Sequence, residues 1–201
     1  MNIYSLKKEK HKLSLRYLIV IPSSLFLLFF FRRFEQITDL HLWYLLPTWI
    51  LLAHLSCAVS NLITDRSFRA SRHLFRSTFL IYGKRTSVVH FQSAFLTSLL
   101  EETIFRYVLL NLLLDRLGHN FLAVVLTSVA FAVIHLVFNR GSRRLLPCLD
   151  LFLFSIAVSV LNVVTASFYP ALIIHGMRNY ILRVLLIRRD EQDLSSGGGI
   201  V

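Results

Sequence analysis

The residues able to do chemistry lie in three apolar runs. SLLEETIFRYVLLNLLL (98–114) carries Glu101, Glu102 and Arg106, FAVIHL carries His135, and ALIIHGMRN carries His175, Arg178 and Asn179. An ionised side chain in hydrocarbon costs about 3 kcal/mol on insertion scales, so polar groups gathered in such surroundings need a task. Glu102 and Arg106 are four residues apart with the acid first, the favourable order for an ion pair on one helix face. Glu101 points about 100° away on the same helix and has no local cation, which leaves it as the candidate proton acceptor. Phe131 precedes His135 by four residues, on nearly the same face, where its ring can fix the imidazole or wall it from lipid. His175 and Asn179 repeat that spacing and set an amide donor beside an imidazole. The pair suits a developing oxyanion, or equally hydrogen bonds to neighbouring helices.

Each of these motifs has a plainer reading as a structural polar cluster between helices. Together they can converge on one water: Glu101 removes its proton, a histidine orients or shuttles, and His175 with Asn179 stabilises negative charge. The chemistry implied is hydrolysis of a peptide bond within or next to a membrane. Glu101, His135 and His175 could instead ligate zinc, which takes about four ligands with one position open to water. No HExxH occurs, so the sequence does not select a metal.

The elements that must position these groups are transmembrane helices. A hydrophobic fraction of 55% and a mean hydropathy of +0.62 exceed what one soluble core needs. Six apolar stretches approach the roughly 20 residues that span a bilayer: 15–31, 40–63, 88–114, 120–139, 149–166 and 169–187. The first lacks a small-residue cleavage site and runs into Arg32 and Arg33, so it reads as a retained span. Trp43 and Tyr44 stand where interfacial aromatics anchor a second span. The long connection from Thr64 to Arg85 spaces Arg66, Arg69, Arg72 and Arg76 among aromatic and leucine residues; it is either an amphipathic helix on the membrane surface or a solvated basic loop. Cys57 and Cys148 have no metal-ligand or CxxC spacing and read as small buried hydrophobes.

The net charge of +11 points to membrane topology, because of where the 22 basic residues fall. With the N-terminus cytoplasmic, seventeen lie in cytoplasmic segments, three (Arg32, Arg33 and Arg116) on the opposite side, and Arg106 and Arg178 within spans. That bias follows the positive-inside rule for six helices with both termini cytoplasmic, and it argues for contact with the lipid bilayer and against a nucleic-acid partner.

The order Glu101-Glu102-Thr-Ile-Phe-Arg106, then Phe131-Ala-Val-Ile-His135, then His175-Gly-Met-Arg-Asn179 resembles the EExxxR, FxxxH and HxxxN motifs of a known family. This is the CPBP (Abi-like) group of intramembrane proteases, which unites type II CAAX prenyl endopeptidases with bacteriocin-processing and self-immunity proteins. The resemblance covers roughly 88–187 and implies an all-α membrane fold: a four-helix catalytic core at 86–189, after a two-helix membrane region with a basic cytoplasmic loop at 1–85. Residues 190–201, ending in SSGGGIV, read as a disordered tail. The resemblance further implies Glu101 as the catalytic glutamate, His135, His175 and Asn179 completing the site, and Glu102, Arg106 and Phe131 in support. It favours a glutamate-activated water without a cofactor over zinc, acting on a membrane peptide or protein substrate. Two departures stand out. Tyr107 follows the motif arginine where the family often has glycine, and the fifth span, LFLFSIAVSVLNVV, contains none. Bulkier side chains there alter helix approach and the substrate groove.

Two other classes of function fit parts of the pattern. A non-catalytic immunity protein that binds a peptide needs no unpaired acid beside two histidines. A small proton-coupled transporter would use a Glu/His relay, but the chain has no evident internal repeat.

Overall fold

A computed structural model describes residues 45–65, 88–138 and 145–196, with the pair 21–22. The expected first span, the Trp43–Tyr44 anchor and nearly all of the Thr64–Arg85 connection lie outside the described residues. Every element is helical: α1 Leu46–Asp65, α2 Val88–Glu102, a π-helix Thr103–Leu110, α3 Asn111–Leu117, α4 Asn120–Phe138, α5 Leu145–Thr165 and α6 Tyr169–Ser196. Helices thus occupy five of the six expected spans. Leu46–Ile63, Asn120–Val137 and Leu146–Thr165 are long and apolar enough to cross a membrane. The stretch 88–117 is broken into three helical pieces and carries buried charge, as α6 does, which is why neither matches that simple pattern. The last helix runs to Ser196, past the boundary expected at 189.

The outward faces fit lipid as solvent. On α1, Leu51, Leu55, Val59 and Leu62 are exposed at helical spacing; on α4, Leu122, Leu126, Val129 and Val133; on α5, Leu149, Leu153, Val160 and Val164. Continuous apolar stripes of this size are rare on soluble monomers. The chain is an all-α membrane protein.

α6 is the central element, packed against α2, α1 and α5, while α4 packs along α5. Trp49 and Ala53 of α1 meet Phe154 and Val158 of α5 and Ala171, Ile174 and Met177 of α6. Farther along α6, Tyr180, Ile181 and Val184 join Cys57 and Ala94. Small residues govern this approach, as expected where helices associate by van der Waals packing within lipid. Gly176 is the tightest case: a Cβ there would lie 2.7 Å from the Phe95 ring, so only glycine lets α2 come this close beside His175.

Two connections set the depth of the site. α3 ends on Gly118, in the left-handed region at φ 63, whose N–H bonds Leu114 O at 3.1 Å. The α5–α6 turn is different, because Ser167 and Phe168 are buried and Ala166 adopts φ 47. Asn162 Nδ2 donates to Ser167 O at 3.2 Å and Thr165 Oγ1 reaches the same oxygen at 3.4 Å. Irregular backbone inside a membrane protein requires such internal partners. The Phe168 ring lies 6.3 Å from that of Tyr107, well before the end of α3, so this turn is recessed into the bundle.

Candidate active site

The α2–π–α3 rod carries the acids. Glu101 and Glu102 close α2, and the backbone then widens from i→i+4 to i→i+5 bonding, a local change often found at functional positions. Side chains hold both ends of this segment. Thr103 Oγ1 bonds Leu99 O at 2.6 Å, and Asn111 Nδ2 bonds the carbonyls of Arg106 and Tyr107 at 3.2 and 2.8 Å.

Glu102 and Arg106, both wholly buried, form the expected pair, with Nη1 3.2 Å from Oε1. The same Oε1 also accepts His175 Nδ1 at 2.6 Å, so Glu102 does more than brace Arg106: it fixes the tilt of an imidazole on α6. Arg106 is held from other sides by Ser155 Oγ, 2.9 Å from Nη2, and by the Phe131 ring, 4.5 Å below its guanidinium. Phe131 stacks on His135 at 4.2 Å and meets His175 edge-on at 5.8 Å. It joins three of the polar groups on one apolar hub, where the sequence suggested contact with one.

Glu101 faces the two histidines. Its Oε2 lies 3.5 Å from His135 Nε2 and 3.3 Å from His175 Nε2, and it makes no hydrogen bond among the described residues. The absence of a cation near Glu101 in its own helix is therefore made up by imidazoles from α4 and α6. His135 Nδ1 is 2.8 Å from Phe131 O, an acceptor only, so this nitrogen donates. His175 Nδ1 likewise donates to the Glu102 carboxylate. With both Nδ1 protons committed, neutral rings would turn two Nε2 lone pairs toward a carboxylate. A proton shared among Glu101, His135 and His175 relieves that opposition, which equips the trio for proton transfer.

Counting residues along isolated helices would set the two histidines at different depths. His135 lies near the end of α4 and His175 near the start of α6, yet both reach Glu101. The recessed α5–α6 turn makes this possible by starting α6 partway down the bundle. Asn179, one turn beyond His175, uses Nδ2 to donate to Ser98 Oγ at 2.9 Å. One of its two amide hydrogens is thus committed to α2, and the other has no partner among the described residues.

These groups line a cavity of about 1090 Å³ whose polar wall includes Glu101, His135, His175, Asn179, Asp150 and Arg178. The last two were missed as site residues. Arg178 Nη2 bonds Asp150 Oδ2 at 2.6 Å, and Ser60 Oγ donates to the same oxygen at 2.8 Å. A signal existed: Asp150 is the one acid in α5, and Arg178 lacks a partner on its own helix. Cys57 is fully buried as expected, whereas Cys148 is half-buried and lines the cavity. Among the described residues, no group of three or more His, Cys, Asp or Glu side chains has an arrangement that could hold a metal ion.

A family model described as type II CAAX prenyl endopeptidase Rce1-like matches residues 85–181, a segment that contains all three motifs. Residues 85–181 belong to the CPBP family of intramembrane proteases. The CPBP segment opens just before α2 and closes within α6, leaving α1 outside it. The match is thus to a protease family, and the three apolar helices fit an integral membrane protein. No curated protein and no solved structure matches it significantly.

Proposed function

We propose that this protein is an intramembrane endopeptidase in which Glu101 activates water against a peptide bond of a membrane-associated substrate. The observation that carries the reading is Glu101 Oε2, turned toward two imidazole Nε2 atoms at 3.5 and 3.3 Å, without a hydrogen bond among the described residues and on the wall of a large cavity. A water bound there gives a proton to Glu101 as its oxygen attacks the scissile carbonyl carbon. His175, as imidazolium, and the uncommitted amide hydrogen of Asn179 then stabilise the oxyanion. When the C–N bond breaks, the proton passes by way of His135 to the leaving amine. Glu102, Arg106 and Phe131 hold this set in place. No step needs a metal.

The cavity extends from Glu101 toward Ala94 and Thr97 of α2, Pro147 and Cys148 of α5, and Leu182 and Arg183 of α6. All of these lie toward the helix ends that adjoin the arginine-rich connections. With both termini cytoplasmic, the site opens to the cytoplasmic side. Ile104, Phe105, Ile134 and Leu136 supply apolar walls, which suit the terminal region of a lipidated, anchored or secreted precursor, including the prenylated class after which the family is named.

The test compares membrane and secreted proteomes of cells carrying the wild type or Glu101→Gln. Precursors that lengthen only in the variant identify the substrate. If Glu101→Gln processes every peptide as the wild type does, or protection against a peptide survives it, the hydrolytic reading fails in favour of binding alone.

A further inference from the structure

We propose that Ser60, Asp150 and Arg178 form a positioning chain that acts through Phe154 on His175 and makes α1, outside the matched segment, part of the hydrolytic assembly. The chain starts at Ser60 of α1, whose hydroxyl donates to Asp150 Oδ2 at 2.8 Å. That oxygen also receives Arg178 Nη2 at 2.6 Å, so one carboxylate on α5 ties α1 to α6. A weaker tie runs from Cys57 Sγ to Arg178 O at 3.9 Å. The Arg178 guanidinium lies over the Phe154 ring at 4.0 Å, and the edge of that ring meets His175 at 5.4 Å and 67°. Phe131 flanks His175 from another direction, and Glu102 holds its Nδ1.

The need for such a chain follows from the packing. Arg178 stands on α6 between His175 and Asn179, so the rotation of α6 decides whether both face Glu101. Beyond Trp49, α1 meets α6 through the small side chains of Ala53 and Cys57, which allow close approach but give little steric registration along that part of the contact. A directional ion pair sets the register that small residues leave open, the best-attested use of buried charge. The competing account is that Asp150 only makes Arg178 tolerable in the bundle. Replacing both by apolar residues separates the two, because a mutually neutralising pair can be exchanged for hydrophobes with little loss of fold.

The proposal rests on His175 acting in the proposed hydrolysis, but its first readout does not depend on cleavage. The full chain, reconstituted in lipid nanodiscs with 15N-labelled histidine, reports the His175 Nδ1–H bond to Glu102 directly. Ser60→Ala removes one hydroxyl, and is expected to shift or broaden the His175 resonance while leaving His135 unchanged. The double variant Asp150→Leu, Arg178→Met should remain folded, show a larger change at His175, and lose about tenfold or more in kcat with little change in KM, as a misplaced catalytic group does. Wild-type His175 resonances in both variants, or wild-type kcat in the folded double variant, would overturn the chain. If Glu101→Gln cleaves normally while Ser60→Ala still moves the His175 resonance, the positioning stands and the hydrolytic reading falls.

Discussion

One cavity holds two acids with opposite surroundings. Glu101 meets two imidazoles at 3.3 and 3.5 Å and keeps an oxygen without a hydrogen bond among the described residues. Asp150 has a guanidinium and a hydroxyl on a single oxygen, at 2.6 and 2.8 Å. The first acid is kept from a permanent counter-ion and can exchange protons; the second is neutralised and can only hold helices together. Burial alone therefore does not mark the reactive group. What marks it is the kind of partner: a titratable ring for Glu101, a fixed cation for Asp150.

Substitutions can break this contrast. The largest effect is expected from Glu101→Gln, which should lower cleavage by about a thousandfold, within the range for a general base, while folded yield is unchanged. Cleavage measured on purified, reconstituted protein decides it; retention of more than a tenth of the activity would make the two acids equivalent. Asp150→Ala should do the reverse and destabilise the protein by about 3–5 kcal/mol, because it strands Arg178 without its counter-ion. Denaturant titration in detergent micelles reads this, and a stable Asp150→Ala variant would place Arg178 in contact with water. Gly176→Ala should cost about 1–3 kcal/mol through overpacking, since the Phe95 ring must move to admit the methyl group. A thermal-shift measurement unchanged from wild type would show that α2 and α6 can separate freely. The smallest effect is expected from chelation: extensive treatment with a strong zinc chelator should leave cleavage unaltered, and a loss restored by added zinc would replace the glutamate mechanism.

Part of the candidate site was legible in the sequence because its spacing is local. Glu102 with Arg106, and Phe131 with His135, are i,i+4 relations that any helix imposes, and they appear in the structure as such. Convergence was read from the combination of polar groups, which few other arrangements in lipid would tolerate. What stayed hidden is long-range. The bond from Glu102 to His175 joins residues 73 apart, and no helical periodicity encodes it. The Asp150–Arg178 pair was obscured because Asp150 sits near the end of an apolar stretch, where an acid passes for an interfacial residue. Counting residues along helices taken to begin at one level separates His135 from His175, whereas the buried α5–α6 turn brings both to Glu101.

The π-helix between Glu102 and Asn111 adds a constraint of another kind. Wider winding over Thr103–Leu110 takes up more chain per turn than an α-helix does, so this segment behaves like an insertion that has been absorbed without leaving the helix. Loss of one residue between Tyr107 and Leu110 would let the rod tighten into α geometry and carry Asn111 away from the carbonyls of Arg106 and Tyr107. Tolerance to insertions and deletions should thus fall sharply just after the arginine of the first motif, where composition alone, a run of valine and leucines, would suggest none.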